Sequence, residues 1–172
     1  MTVNDEGRAV PDIRLQRPIK LPPVPAFTAL KEVLSLIAAQ DGAWRDFALH
    51  VSLGDLHLPD VGYVAIPIAL ETGETHVETR SIEVRFSSVN HPESFPRFNG
   101  NAGIDTTGPS ATILWVAGDY DVPLNVVGKI FDRTVAAGVA ERALENFIDD
   151  LAVAVVASVE KRESEYARYR MY

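Results

Sequence analysis

Histidines are the residues of this sequence best suited to bind a metal or to move a proton near neutral pH, and there are four of them. His50 and His57 are seven residues apart in a segment with an extended pattern, so the odd spacing places them on opposite faces of a strand. They would converge on a zinc ion only if a bulge lay between them. His76, in an acidic turn, and His91, before a proline, are expected to be solvated. The histidines therefore predict no metal site.

Carboxylates and hydroxyls offer the other route to acid–base chemistry. Asp119 and Asp121 flank Tyr120 just before a long helical pattern, and two carboxylates in a low-dielectric cleft could exchange a proton. Helix capping explains the same aspartates, because free amide groups and the helix dipole stabilise an acidic residue there by ~0.3–1 kcal/mol. Capping is the favoured interpretation. Tyr63, His50 and Tyr120 could move protons only if they pointed into a pocket.

Composition narrows the class of protein. A chain of 172 residues suits one domain, and its 47% hydrophobic and 23% charged residues are typical of a globular protein. The absence of cysteine excludes disulfides and thiolate metal sites. A net charge of −8 opposes nucleic-acid binding, and no apolar run approaches the ~18 residues of a membrane span. No secretory signal is visible at Met1, so we expect a cytoplasmic protein.

No catalytic motif is present. The sequence lacks a phosphate-binding glycine loop, a nucleophile elbow and an HExxH motif. It identifies no catalytic residue, requires no cofactor and favours a protein that is not an enzyme.

Three segments follow from the pattern of prolines and apolar residues. Residues 1–25 are expected to be an extended proline-rich arm, tethered rather than packed, with at most one edge strand near Ile13–Leu21. Residues 26–160 form the single domain, and 161–172 a charged helix end or tail. The domain opens with a helix that starts at Pro25 and stops at Asp41-Gly42. Its predicted buried stripe consists of Leu30, Val33, Leu34 and Ile37.

Strands with period two follow from Trp44 to Tyr120, and short turns make neighbouring strands antiparallel. Turns are predicted at Thr72-Gly73-Glu74 and at Asp105–Pro109. Asn99 and Asn101 share the outer face of their strand. The small inner residues Gly100 and Ala102 are expected to leave room for a cavity. Its predicted lining is Ile66, Val84, Phe86, Phe98, Gly100, Ala102, Trp115 and Phe131, with Phe147 as a further candidate.

The strand Ala111–Ala117 is apolar on both faces, so its orientation rests on Trp115. We expect Trp115 to point inward with Ile113 and to be the largest buried anchor, in which case Trp115→Ala would cost ~3–5 kcal/mol. From Leu124 the period returns to 3.6, which predicts a helix of over ~35 residues with a bend near Gly138 or a projecting end.

One stretch carries a specific combination of motifs: Phe95-Pro96, the strand Phe98–Ile104, the crossing Ala117–Leu124, Gly128 and Asp132. This stretch, Phe95–Val155, resembles the C-terminal half of the helix-grip superfamily, also called START-like, birch-pollen-allergen-like or SRPBCC. The resemblance implies an α+β fold in which a curved antiparallel sheet wraps a long C-terminal helix, here with one N-terminal helix. It also implies an apolar cavity for lipids, polyketides or aromatic compounds.

Binding of an apolar small molecule between the sheet and the C-terminal helix is therefore the leading hypothesis. The first alternative, from the same resemblance, is an enzyme of the polyketide aromatase/cyclase kind. The second is a non-catalytic assembly or regulatory protein with a filled core and a contact surface at residues 161–172. A homo-oligomer is compatible with all three.

Overall fold

The structure, a computed structural model, describes residues 2–3, 9–10, 12–41, 48–52, 63–89, 97–121 and 133–170. Its framework is a six-stranded antiparallel sheet. The strands are β1 Thr2–Val3, β2 Ala9–Val10, β3 Asp12–Ile19, β4 Ala48–Ser52, β5 Tyr63–His76, β6 Ser81–Ser88, β7 Arg97–Gly108 and β8 Ala111–Asp121. The main sheet has the order β3-β8-β7-β6-β5-β4, and β1 pairs with β2 separately.

Helix α1, Pro23–Ala38, begins with prolines, which suit the first turn because its amide groups have no helical partner. Its predicted stripe of Leu30, Val33, Leu34 and Ile37 is buried. The helix ends before the predicted stop. Gln40 adopts the left-handed conformation, with φ 51°, and donates its N–H to the Ile37 carbonyl at 3.0 Å.

Helix α2, Arg133–Tyr169, lies on the inner, concave face of the sheet and has 37 residues, so it is about 55 Å long. The predicted start at Leu124 and the residues up to 132 lie outside the described residues. Beyond Val159 the helix carries exposed side chains such as Tyr166 and Tyr169. Within the described residues, no helix is both long and apolar enough to span a membrane. The large buried side chains of α2 form a stripe: Leu144, Phe147, Ile148, Leu151, Val155 and Val159.

Strand β3 lies in the segment that was expected to be a tethered arm. It pairs with β8 along its whole length, from Asp12 opposite Asp119 to Ile19 opposite Thr112. Ile19 is buried in the core, so this part of the segment is packed into the domain. The expected edge strand is confirmed, but the prediction of at most one strand in this segment is wrong, because β1 and β2 also lie there. The position of β3 at the edge of the sheet accommodates Pro18, which has no N–H to donate.

One predicted turn is wrong and a second starts too early. The strands continue through Thr72-Gly73-Glu74 and through residues 105–108, and the second turn lies at 109–110. Strand β5 passes Thr72-Gly73-Glu74 with a bulge and reaches His76, and the chain reverses at residues 77–80, where Arg80 has φ 48°. Strand β7 continues past Asp105 to Gly108. Polar residues and glycine signalled a turn in each case, whereas a bulge absorbs an extra residue without ending the ladder.

The predicted orientation of β8 is also wrong. Leu114 and Val116 are buried at 0% and 1% exposure, and Trp115 lies on the outer, convex face. The Trp115 Nε1–H donates to Asp105 Oδ1 at 3.0 Å, and the Arg14 guanidinium lies 4.9 Å from the centre of the indole ring. These contacts satisfy the indole outside the core, so its size does not require burial.

Replacing Leu114 and Trp115 separately by alanine tests this orientation. We expect Leu114→Ala to lower the free energy of unfolding by about 2–5 kcal/mol, because it empties a closed core site. Trp115→Ala should cost about 1–2.5 kcal/mol, the value of one hydrogen bond and one cation–π contact at a half-buried site. Urea unfolding of both variants gives the comparison, and a larger loss for Trp115→Ala would contradict the orientation.

Strands β7 and β8 approach each other closely where Gly100 lies opposite Gly118. A Cβ atom on Gly100 would lie 2.6 Å from the Gly118 Cα, and one on Gly118 would lie 2.5 Å from the Gly100 Cα. The small size of Gly100 therefore permits contact between backbones, rather than leaving the room that the sequence predicted.

Gly100→Ala should consequently destabilise the protein by about 1–3 kcal/mol through overpacking. Gly108, on the same strand, is a matched control, because a Cβ there has no atom within 4 Å. Gly108→Ala should remain within about 0.5 kcal/mol of the parent. Equal urea midpoints for the two variants would contradict the close approach.

Candidate functional site

The centre of the concave face is occupied by aromatic rings from the sheet and from α2. The rings of Phe86 and Phe98 stack with centroids 4.9 Å apart, and Phe147 of α2 lies 5.1 Å from Phe86. Val84 and Ala102 are fully buried in the same cluster. The structure thus brings these predicted lining residues together, and here they pack against one another and against the helix.

The remaining predicted lining residues lie elsewhere. Ile66 is buried on β5 opposite Leu49 of β4. Gly100 is in contact with the backbone of β8, and Trp115 is on the convex face. Phe131 lies outside the described residues.

Strand β8 buries two polar side chains on the concave face, Thr112 and Tyr120, and neither hydroxyl has a hydrogen-bond partner among the described residues. Of the two, only Tyr120 carries an ionisable group. Tyr120 lies near the end of β8 opposite Phe98, is 6% exposed and belongs to the hydrophobic core. Its hydroxyl has no hydrogen-bond partner in the described part of the chain. Burial raises the pKa of this hydroxyl above its ordinary value, so Tyr120 is neutral and can both donate and accept a hydrogen bond.

An unpaired hydroxyl in this position needs a physical explanation. Leaving a buried polar group without a partner costs about 1–3 kcal/mol, and such groups are uncommon in folded proteins. A bound molecule with one polar atom would remove that cost. Tyr120 lies opposite Phe98 of the aromatic cluster, so of the two unpaired hydroxyls it is the better candidate for contact with a ligand.

The other candidates for acid–base chemistry do not join Tyr120. Asp119 is on the opposite face of β8 because successive residues alternate, and the side chain of Asp121 lies outside the described residues, as does that of Tyr63. His50 is exposed, with its imidazole 3.6 Å from the carboxylate of Asp150 on α2. Within the described residues, the structure shows no second ionisable group beside Tyr120.

The convex face carries a shallow polar groove of about 400 Å³. Asn99 and Asn101 line it, which confirms that they share the outer face, and Arg85 Nε–H donates to Asn99 Oδ1 at 3.2 Å. The groove is open to solvent, and cross-strand pairing accounts for the Arg85–Asn99 contact.

A cluster of metal-binding types was missed by the sequence analysis. One oxygen from each of Glu74 and Glu83 and one nitrogen from His76 all lie within 4.8 Å of one another. The cluster depends on where the hairpin turns. Because the turn is at residues 77–80, Glu74 and His76 lie on one strand, two residues apart, and β6 brings Glu83 beside them.

The architecture is similar to that of several solved proteins. The aromatase/cyclase Zhui from Streptomyces sp. R1128 matches with a TM-score of 0.51 at 15% identity, over 90% of this chain and 96% of that chain. Norcoclaurine synthase from Thalictrum flavum, in complex with dopamine and hydroxybenzaldehyde, matches with a TM-score of 0.53 at 10% identity, over 87% and 88%. Ara h 8.0201 matches with a TM-score of 0.54 at 8% identity, over 89% and 99%.

These similarities and the architecture define the class of structure: the chain has the helix-grip fold, a curled six-stranded antiparallel sheet with a long C-terminal helix and one N-terminal helix. The predicted fold class is confirmed. No protein-family model and no curated protein sequence matches the chain.

Buried Tyr120 should make stability depend on alkaline pH. Above about pH 10 an unfolded tyrosine releases its proton, whereas the raised pKa keeps Tyr120 protonated in the folded state, so stability falls as pH rises. We expect Tyr120→Phe to lose this part of the dependence and to equal or exceed the parent at neutral pH. Urea unfolding between about pH 8 and pH 11 measures it.

Tyr166→Phe is the control, because Tyr166 is 71% exposed and its loss should leave the pH dependence unchanged. If Tyr120→Phe lost stability with pH as steeply as the parent, the hydroxyl would not be buried as described.

Proposed function

We propose that the protein binds a neutral, largely apolar small molecule between the concave face of the sheet and α2, and that Tyr120 supplies the polar contact. The observation that carries this proposal is the buried Tyr120 hydroxyl without a partner in the described residues. A hydroxyl or carbonyl group of a ligand would form one hydrogen bond with the Tyr120 hydroxyl.

The surroundings of Tyr120 favour an apolar, uncharged ligand. Among the described residues, the buried polar side chains are Ser81, Ser88 and Thr112, and none of them carries a charge. A charged ligand would meet no buried counter-ion there, and burying an unpaired charge is costly. Phe98, which stacks on Phe86, lies opposite Tyr120, so the hydroxyl is surrounded by apolar side chains.

The comparisons support a small-molecule ligand without deciding between binding and catalysis. The norcoclaurine synthase structure holds two aromatic compounds, and the Zhui protein is an aromatase/cyclase. A fold shared by such proteins does not by itself identify an activity. An enzyme would need a second proton-transfer group near Tyr120, and His50 and Asp119 both lie elsewhere. Binding is therefore the better-supported function.

A matched pair of probes tests the role of the hydroxyl. Naphthol and naphthalene have the same ring system, but only naphthol can hydrogen-bond to Tyr120. We expect the fluorescence of each probe to change, and the change to saturate, as the protein is titrated into it. Tyr120→Phe should weaken naphthol binding by roughly 2–12-fold, the equivalent of one hydrogen bond of about 0.5–1.5 kcal/mol, and leave naphthalene binding unchanged.

Tyr166→Phe serves as the control variant and should bind both probes like the parent, because Tyr166 is exposed. Absence of saturable binding of either probe would contradict the proposal. Equal weakening of naphthol and naphthalene by Tyr120→Phe would contradict the assigned role of its hydroxyl.

A further inference from the structure

The hairpin of β5 and β6 places an imidazole between two carboxylates on the protein surface. His76 Nδ1 is 4.0 Å from Glu74 Oε1, and His76 Nε2 is 3.9 Å from Glu83 Oε1. The side chains of His76 and Glu83 are 41% and 39% exposed, whereas that of Glu74 is 74% exposed. Two members of the cluster are therefore partly buried, and Glu74 is largely exposed to solvent.

The bulge in β5 holds Glu83 in place. A Cβ atom on Gly73 would lie 2.5 Å from Glu83 Oε2, so only glycine leaves space for this carboxylate above the bulge. The Glu74 N–H donates to the same Oε2 atom at 3.4 Å. With one oxygen engaged by the backbone, the second oxygen, Oε1, is directed toward His76.

We propose that Glu74, His76 and Glu83 bind a divalent transition-metal ion of the zinc type. An imidazole nitrogen and two carboxylate oxygens are ordinary zinc ligands, and magnesium and calcium prefer oxygen ligands alone. Zinc bonds of about 2.0–2.2 Å place tetrahedral ligand atoms roughly 3.4 Å apart. The ligand atoms, all within 4.8 Å of one another, reach that separation if the exposed Glu74 side chain rotates inward and the 3.9 Å gap between His76 and Glu83 also narrows.

A metal here would fix the bulge of β5 to β6. The site is formed by the strand ends at the hairpin, whereas Tyr120 belongs to β8 at the concave face. It is therefore independent of the small-molecule site proposed above, and either proposal can fail without affecting the other.

Isothermal titration of the full-length protein with Zn²⁺ tests the site. We expect saturable binding that falls at least about tenfold in affinity in His76→Ala and in Glu83→Gln. Zn²⁺ should also raise the urea midpoint of the parent, because a ligand that binds the folded state stabilises it, and this rise should disappear in both variants. Excess Mg²⁺ should not displace Zn²⁺.

His50→Ala is the matched control. His50 is an exposed histidine on a strand with a carboxylate 3.6 Å away, but it belongs to no cluster of three ligand types in the described residues. Its loss should leave Zn²⁺ affinity unchanged. Unchanged affinity in His76→Ala, an equal loss in His50→Ala, or competition by Mg²⁺ would each overturn the proposal. Urea unfolding without metal verifies that each variant is folded.

Discussion

Burial of the apolar stripe of helix α2 is the constraint on which the rest of the structure depends. Each large side chain of the stripe, such as Phe147 or Leu151, gains about 1.5–3 kcal/mol when it leaves water, and the curved sheet covers the helix from more than one side. Both edge strands also contact the helix through polar side chains. Arg17 of β3 pairs with Asp149, and the Asn146 amide donates to the His50 carbonyl of β4 at 2.6 Å. Both edges of the sheet are therefore bonded to α2, which lies between them.

Particular residues produce the curvature of the sheet and cover the apolar surface that the sheet leaves open. Gly100 and Gly118 let β7 and β8 approach closely on the concave side, and the bulge after Thr72 bends β5. Helix α1 packs beside α2, where Glu32 accepts a hydrogen bond from Ser158 at 2.9 Å. Small residues and a bulge thus shape the sheet around α2, whereas α1 covers apolar surface that the sheet does not reach.

Local periodicity predicted the elements whose two faces differ. The alternation in β6 and the stripe in α1 each have one apolar and one polar face, so burial specifies their orientation. Strand β8 is apolar on both faces, and its orientation depends on its partner: Val116 lies opposite Ala102 and Leu114 opposite Ile104. That pairing joins residues distant in sequence and was not visible in the strand itself.

The same pairing explains why the candidate site could be named but not oriented from the sequence. An inward Trp115 implies, by alternation, an outward Tyr120, and the observed orientation reverses both. A phenylalanine at position 120 would fill nearly the same volume without the cost of an unpaired hydroxyl. Packing alone therefore does not explain the tyrosine. Residues that lower stability without a structural benefit are expected where binding or catalysis takes place, and this argument supports the end of the concave face beside Tyr120 as the functional part of the fold.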